Sequence, residues 1–334
     1  MALKIPTAFT LAQLKVLAFK CGISTSGTKG ILTQRLHEEI ESVAHHAAPK
    51  QTRILSIDMG IRNLAYCILD VSPQLLSPRT KPSADGHLPK IESWHRIAVS
   101  SPPITINPEV TKIVVKESFS PSMLSNAAYN LLRHTLLPHN PTHILIERQR
   151  FRSMGSKHIL EWTVRVNMFE SIVYAILCTL KQEGLWDGEV VGVLPGKVGP
   201  YWVGNDEEAE AETGKAPALE DTISGAKIHR KVRNSKSAKI RNKGLKIDLV
   251  RQWLEARDVA ELGNEDVEER AKRYMQKWDR LPGGRKGVKR GEKSEEMGKL
   301  DDLADCLLQG MAWIQWERNK RIALEKGVGA LLDQ

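Results

Sequence analysis

Two apolar segments of this chain each end on a carboxylate, and this pattern constrains the fold more than any other. Asp58 closes the segment RILSID, and Glu147 closes the segment HILIE. A charged side chain at the end of a hydrophobic strand destabilises a fold unless it is paired or solvated. Taken singly, Asp58 can form the turn that follows it, and Glu147 can pair with Arg148 or Arg150. Taken together, the two acids predict a functional site at the ends of two strands.

A predicted apolar helix near the C-terminus begins with three more acids, Asp301, Asp302 and Asp305. In a helix Asp301 and Asp305 lie about 40° apart around the axis, and Asp302 lies about 60° from Asp305 on the other side. Either Asp301 or Asp302 can therefore share a metal ion with Asp305, and the smaller angle slightly favours Asp301. The alternative is that first-turn acids interact with the helix dipole. That alternative fits Asp301 and Asp302 but explains Asp305 poorly.

The residue types in this set favour a hard divalent cation. Acids from two strands and one helix repel each other when they meet, and a cation relieves that repulsion. Oxygen ligands without Cys or His favour Mg²⁺ or Mn²⁺ over zinc. The four cysteines are scattered with no CxxC pair, so neither a zinc site nor a disulfide framework is expected. We also expect no membrane attachment, since no apolar run approaches the roughly 18 residues of a membrane helix.

The order of apolar patterns predicts an α/β or mixed-sheet domain. A hairpin opens it, and further strands then alternate with helices. The predicted strands are Arg53–Asp58, Asn63–Leu69, Ile91–Val99, His143–Glu147 and Glu189–Leu194. The predicted helices are Leu124–Leu137, residues 157–183 and residues 299–326. The helix over 157–183, which includes Trp162, is interpreted as core or as the seam of a dimer.

A separate unit of two helices is predicted over residues 7–44, followed by a linker over 45–52. Thr10 is a plausible N-cap for the first helix, and Gly22 follows its end. The pattern over residues 10–40 resembles a SAP motif, and this resemblance implies DNA binding through basic side chains. The candidates in this unit are Lys15, Lys20, Lys29 and Arg35. The alternative is a helical hairpin that only packs on the main domain.

Positive charge is in excess and is concentrated in particular segments. Lys and Arg number 49 against 40 Asp and Glu, a net charge of +9, so nucleic acid is a natural partner. Arg148, Arg150 and Arg152 alternate after Glu147 and can face phosphates, while Phe151 can stack on an unpaired base or be buried. A charged insertion is predicted around 204–246, acidic first and then basic. Its basic part is interpreted either as a flexible DNA clamp or as a solvated loop, with candidate DNA contacts at Lys227, Arg230, Lys231 and Arg233.

Three phrases of the sequence resemble one known family. SIDMGIRNLAYCIL, ILIERQRFRS and KLDDLADCLLQG look like the fungal mitochondrial Holliday junction resolvases, which are related to RuvC within the ribonuclease H-like superfamily. The resemblance covers about residues 53–326. It implies a ribonuclease H-like α/β fold, with a mixed five-stranded sheet flanked by helices. On the same basis, Asp58, Glu147, Asp305 and one of Asp301 and Asp302 would be catalytic metal ligands.

The resemblance also implies an activity and its partners. A mitochondrial homodimer would cut four-way DNA junctions symmetrically by phosphodiester hydrolysis. It would use two Mg²⁺ per active site, with Mn²⁺ as a substitute, and no small-molecule cofactor. Two alternatives stay open: another ribonuclease H-like nuclease, acting on RNA–DNA hybrids or as a transposase, or a non-catalytic junction-binding architectural protein. The intact acid set argues against the second alternative.

Overall fold

The structure is a computed structural model. It describes residues 3–45, 51–79, 87–99, 119–149, 159–194, 196–204, 238–279 and 299–332.

A mixed sheet forms the centre of the fold. Its strands are β1 (Thr52–Asp58), β2 (Leu64–Val71), β3 (Lys90–Ile97), β4 (His143–Glu147), β5 (Glu189–Val193) and β6 (Glu261–Leu262), in the spatial order β5-β4-β1-β2-β3-β6. β1, β2 and β3 pair antiparallel, whereas β4 runs parallel to both β1 and β5. All five predicted strands are confirmed, with ends that shift by one or two residues. The predicted number of strands was wrong, because β6 adds two residues beside β3, too short a segment to show a pattern in the sequence.

The helices are α1 (Leu11–Lys20), α2 (Lys29–His45), α3 (Pro73–Leu76), α4 (Pro121–Asn130), α5 (Glu161–Gln182), α6 (Val198–Val203), α7 (Ala238–Ala256), α8 (Glu265–Asp279) and α9 (Leu300–Lys326). The predicted helix over Leu124–Leu137 is α4 continued by a π-helical turn over Leu131–Leu136. The predicted insertion over 204–246 needs a correction: its last residues form the start of α7, because Ile247, Val250 and Leu254 give that helix a buried face. Residues 205–237 lie outside the described part of the chain.

Two apolar clusters cover the two faces of the sheet. Alternate residues of β1 point to opposite sides, so Ile54 packs with α7, α8 and α9, while Leu55 and Ile57 pack with α4 and α5. Helix α9 approaches the sheet closely at Gly310. A Cβ there would lie 2.6 Å from Leu69 Cδ1, so a larger residue would require the Leu69 side chain to shift.

Among the described helices, α5 is long and apolar enough to cross a membrane by length and composition. Its buried residues, which include Phe169, Val173 and Leu177, pack into the cluster on the α4 side of the sheet. One such helix is weak evidence for a membrane span, since a core helix passes the same test. The packing accounts for the buried face of α5, whereas Trp162 and Val164 near its start are exposed.

The N-terminal unit docks on the C-terminal half of α9. Thr10 caps α1 as predicted, since its Oγ1 accepts a bond from Gln13 N and the Gln13 side chain accepts from Thr10 N. At the other end of α1, Asn319 Nδ2 donates to Lys20 O at 2.7 Å, and Lys197 Nζ donates to Gly22 O. The carbonyls at the end of α1 are thereby bonded to the main domain. This is the packing that the alternative interpretation expects, and it is compatible with DNA binding on the outer face.

Candidate active site

The carboxyl ends of β1 and β4 meet at one edge of a cleft. The two strands are parallel with Ile57 opposite Ile146, so Asp58 and Glu147 follow side by side. A cavity of about 470 Å³ lies over them, and Asp302 at the start of α9 also lines it. Strand ends and the first turn of one helix therefore bring together acids that are far apart in the sequence.

Asp58 lies at the most crowded point of this acid cleft. Burial raises the pKa of Asp58 well above its usual range, and the charge of Glu147 raises it further. Asp305 and Asp302 contribute in the same direction, and the side chain of Glu147 is hydrogen-bonded to Asp58. Two acids in contact favour a shared proton when nothing else neutralises them. Burial and the neighbouring acids therefore favour the protonated form of Asp58, and a bound cation would act in the opposite direction.

Each acid of α9 is bonded to a basic side chain. Lys243 Nζ donates to Asp301 and Lys246 Nζ donates to Asp305, both from α7. Arg96 Nε of β3 donates to Asp302 Oδ2 at 2.9 Å. Arg96 also donates to the side chain of Asn63, which lies in the turn between β1 and β2 and lines the acid cleft.

Burial raises the pKa of Asp302 and of Asp305, and the basic partners of both acids oppose that shift. Arg96 lowers the pKa of Asp302, and Lys246 lowers the pKa of Asp305. These cations reduce the upward shift of both pKa values without reversing it.

The structure separates Asp301 from Asp302. Asp302 lines the cleft with Asp58 and Glu147, and its charge raises the pKa of Asp58. Asp301 is only 9% exposed and is bonded to Lys243 on the α7 side. The sequence could not make this distinction, because helical angles do not reveal how a helix is rotated about its own axis. The arrangement favours Asp302 as the fourth acid of the cleft.

The donor set fits a hard divalent cation in chemistry. Asp58, Glu147, Asp302 and Asp305 offer only oxygen, and the crowding around Asp58 is the kind that a cation relieves. Within the part of the chain that the structure describes, no three acidic, His or Cys side chains are close enough around one point to hold an ion. Lys246 bonds Oδ1 of Asp305, so a cation that binds Asp305 has to share this carboxylate with Lys246 or displace Lys246 from it.

Sequence reasoning missed the cations that surround the cleft. Lys243 and Lys246 were placed in the basic part of a charged insertion that could continue into a helix, and no contact with the acids was predicted for them. Their spacing of three residues places them on one face of such a helix. Arg96 lies near the end of β3, directly after His95, and nothing in the local sequence marks it as a partner of Asp302.

The predicted DNA-binding residues differ in their exposure and in their bonding partners. Lys15 is exposed on α1. Three others bond backbone carbonyls: Lys20 reaches Leu331 O at 2.7 Å, Lys29 reaches Thr7 O at 2.9 Å, and Arg35 reaches Ser24 O and Ser26 O at 2.7 and 2.8 Å. Arg148 lines the acid cleft. The remaining candidates, Arg150, Phe151, Arg152, Lys227, Arg230, Lys231 and Arg233, lie outside the described residues.

A larger cavity of about 850 Å³ lies between the N-terminal unit, β5 and α9. None of the five predicted metal ligands lines this cavity. The larger of the two cavities is therefore not the one that contains the acids. Arg148 lines both cavities and therefore lies between them.

Comparisons with known proteins match this chain to one family and to two of its relatives. The chain matches the family described as mitochondrial resolvase Ydc2 / RNA splicing MRS1 over residues 54–322. It is 24% identical over 322 residues to cruciform cutting endonuclease 1, mitochondrial, of Saccharomyces cerevisiae, covering 92% of this chain and 82% of that protein. It is 31% identical over 166 residues to the Schizosaccharomyces pombe protein of the same name, covering 50% of this chain and 54% of that protein.

A solved structure shares the fold. The crystal structure of the yeast mitochondrial Holliday junction resolvase Ydc2 matches with a TM-score of 0.54 at 23% identity, covering 93% of this chain and 95% of that one. The mixed sheet, its flanking helices and the acid cleft define a ribonuclease H-like α/β protein. The chain belongs to the family of mitochondrial resolvase Ydc2 and RNA splicing MRS1, whose match spans most of its length.

Proposed function

We propose that this chain is an endonuclease that resolves four-way DNA junctions by paired, symmetric hydrolysis of phosphodiester bonds. The observation that carries the proposal is the acid cleft, in which Asp58, Glu147 and Asp302 line one cavity with Asp305 beside them. Two relatives that are named cruciform cutting endonuclease support the same substrate class. Their names also support a mitochondrial location.

The proposed cofactor is Mg²⁺, with Mn²⁺ as a substitute and two ions per site. Asp58, Glu147, Asp305 and Asp302 would hold the metal, and Asp301 is the alternative to Asp302. When bound, such ions supply an activated water and stabilise the leaving oxygen. The protein's own residues orient the acids, since Arg96 fixes Asp302 and the two parallel strands fix Asp58 beside Glu147.

A homodimer is part of the proposal. A four-way junction has two-fold symmetry, and paired cuts in opposite strands require two active sites. Positive charge supports DNA as the partner, because the chain carries a net charge of +9. Of the predicted DNA-binding residues that the structure describes, Lys15 is exposed and Arg148 lines the acid cleft, so both can bind phosphates.

The family description also includes an RNA splicing protein, so a non-catalytic RNA-binding role is the second candidate. The acid cleft favours the nuclease, because a protein that only binds nucleic acid gains nothing from crowded carboxylates that repel phosphates. A catalytic test separates the two candidates.

The test incubates the protein and Mg²⁺ with a labelled four-way junction, a linear duplex, an RNA–DNA hybrid and a structured RNA. We expect symmetric nicks in the junction alone. Asp58→Asn should abolish them, whereas the exposed Asp258→Asn, as a matched control, should not. Asp302→Asn should lower the rate by about 10²-fold or more, and Asp301→Asn by less. Cleavage of the hybrid but not the junction, or tight RNA binding with no cleavage, would overturn the proposal.

A further inference from the structure

An exposed tryptophan stands at the edge of the acid cleft. Trp162 lies in the first turn of α5, is 37% exposed, and lines the same cavity as Asp58 and Glu147. Its neighbours Leu160 and Val164 are 67% and 50% exposed. Large apolar side chains on a surface that should receive a charged strand require an explanation, because they do not help to bind phosphates. Trp162 is therefore not a buried core residue, and the alternative that its helix forms the seam of a dimer stays a prediction.

Trp162 is held in place from two sides. The Arg62 guanidinium lies 4.9 Å from the centre of the Trp162 ring, and Phe119 meets that ring edge-on at 5.4 Å. Arg165 in turn lies 4.2 Å from the centre of the Phe119 ring. Cations over aromatic faces and edge-to-face rings are favourable arrangements. Trp162, Arg62, Phe119 and Arg165 thus form a cation–aromatic cluster.

The cation–aromatic cluster is connected to the acid cleft through the chain itself. Arg62 belongs to the turn that begins immediately after Asp58, and Gly60 of that turn also lines the cavity. A Cβ on Gly60 would lie 2.8 Å from Asn63 O, so the turn is tight and leaves little freedom between Asp58 and Arg62. The aromatic ring and the carboxylates therefore keep a fixed relation to each other.

The chemistry of the cluster selects one kind of ligand. A nucleobase has an apolar face that stacks on an indole ring, and the guanidinium of Arg62 can interact with the phosphate of the same nucleotide. Arg165 is ion-paired with Glu161 and supports Phe119. A base within a duplex is already covered on both faces by its neighbours. The ligand that fits is therefore an unpaired base in the strand whose phosphate lies at the acid cleft.

We propose that Trp162, held by Arg62 and Phe119, stacks on an unpaired nucleobase next to the phosphate that is cut. This inference rests on the proposed function, and it adds the element that recognises an opened base at the site. It also predicts that the cluster binds single-stranded DNA that contains no junction. The competing occupant of this surface is a second copy of the chain.

The test uses 2-aminopurine, a fluorescent base whose emission is quenched by stacking. It is placed at the crossover of a four-way junction and, separately, in a short single strand. All proteins carry Asp58→Asn, so that the DNA stays uncut. We expect Trp162→Ala to give a brighter complex and about 5- to 100-fold weaker binding of both DNAs. Trp162→Phe should retain most of the quenching, because it keeps an aromatic face.

Leu185→Ala is the matched control, since Leu185 is an exposed apolar residue, 58% accessible, just beyond the far end of α5. It should leave both affinity and emission unchanged. Equal emission and affinity for Trp162→Ala and its parent, with the same melting temperature, would overturn the inference. The inference is also overturned if Trp162→Ala sediments as a smaller species while the emission of its DNA complex is unchanged. The surface around Trp162 would then be the contact between two copies of the chain. If the protein binds the junction no more tightly than a duplex, the proposed function fails. The quenching of 2-aminopurine in the single strand is a separate measurement and still decides whether Trp162 stacks on a base.

Discussion

Lys246 of α7 bonds the carboxylate of Asp305 on α9, and this pair joins the charged segment of the chain to the acid cleft. Lys243 makes the same contact with Asp301, one turn earlier on both helices. In the absence of a metal, these ammonium groups supply the positive charge that the α9 carboxylates need. We therefore expect a metal ion and Lys246 to compete for Asp305.

The first prediction concerns Lys246→Met. The side chains of Lys246 and Asp305 are 18% and 29% exposed, so the pair is largely shielded from water. Removing the ammonium leaves Asp305 uncompensated among other acids. We expect the free energy of unfolding of the metal-free protein to fall by about 1–3 kcal/mol. Denaturation in chelator measures it, and added Mg²⁺ should restore most of the loss.

Lys272→Met on α8 serves as the control. The Lys272 ammonium lies 4.0 Å from Glu268, and its side chain is 62% exposed. An exposed pair of this kind contributes about 0–1 kcal/mol. Equal stability losses for the two variants, or a loss for Lys246→Met that Mg²⁺ leaves unchanged, would contradict competition at Asp305.

The second prediction concerns pH. The pKa of Asp58 in the folded protein is raised above its value in the unfolded chain, so the folded state binds the proton more tightly. The resulting stabilisation is complete below the unfolded pKa of about 3.9. It is lost as the pH rises through the folded pKa. The melting temperature of the metal-free protein should therefore decline as the pH increases above the usual carboxyl range.

Asp58→Asn should flatten this decline and raise the metal-free melting temperature at neutral pH, although it abolishes cleavage. One kcal/mol corresponds to about 2–4 °C in domains of 150–250 residues. Thermal scans in chelator across the pH range measure the effect, with Asp258→Asn as an exposed control. If the melting temperature of Asp58→Asn declines more steeply with increasing pH than that of the parent, the group with the raised pKa is not Asp58.

The two strand-end acids could be predicted from the sequence, whereas the arrangement around the helix acids could not. Asp58 and Glu147 end apolar strands, and parallel strands of one sheet end at the same edge. The choice between Asp301 and Asp302 depends on the rotation of α9, which is set by the packing of residues such as Leu303 and Ala304 against the sheet. No local pattern carries that information.

The role of the basic segment was hidden for a related reason. Its composition is typical of a solvated insertion, yet Val250 and Leu254 bury one face of α7 and direct Lys243 and Lys246 towards α9. Tertiary packing makes the end of this segment, from residue 238 onward, a partner of the α9 acids. The interpretation of its basic part as a DNA clamp stays a prediction, since residues 205–237 lie outside the described part of the chain.

The third prediction separates DNA contacts from structural contacts in the N-terminal unit. Lys15 is exposed, so Lys15→Ala should weaken junction binding and reduce the slope of log affinity against log salt by about 1. Its melting temperature should not change. Arg35 bonds two carbonyls in the turn before α2, at Ser24 and Ser26, so Arg35→Ala should lower stability instead. Binding titrations at several salt concentrations and thermal scans measure both. An unchanged salt slope for Lys15→Ala would remove that residue from the interface.

Gln309 connects the helix acids to the strand acids. It is 3% exposed and lies one turn after Asp305 on α9. Its Nε2 donates to Ser56 Oγ at 3.1 Å and to Ile57 O at 3.2 Å, with Leu145 O at 3.4 Å. Ile57 directly precedes Asp58, so this one amide ties α9 to the strand ends behind the cleft.

The fourth prediction follows from that connection. Gln309→Leu keeps the volume but removes the donor, so the acids of α9 lose their fixed position relative to Asp58. Asn319→Leu is the matched control: it also removes a buried amide donor from α9, but its partner is Lys20 O in the N-terminal unit. Both variants should lose about 1–3 kcal/mol of stability. Only Gln309→Leu should lower the single-turnover cleavage rate at saturating protein, by about 10-fold or more, since small misplacements in an active site are costly. If the two variants lose cleavage rate in parallel with their melting temperatures, Gln309 acts on stability alone and does not position the acids.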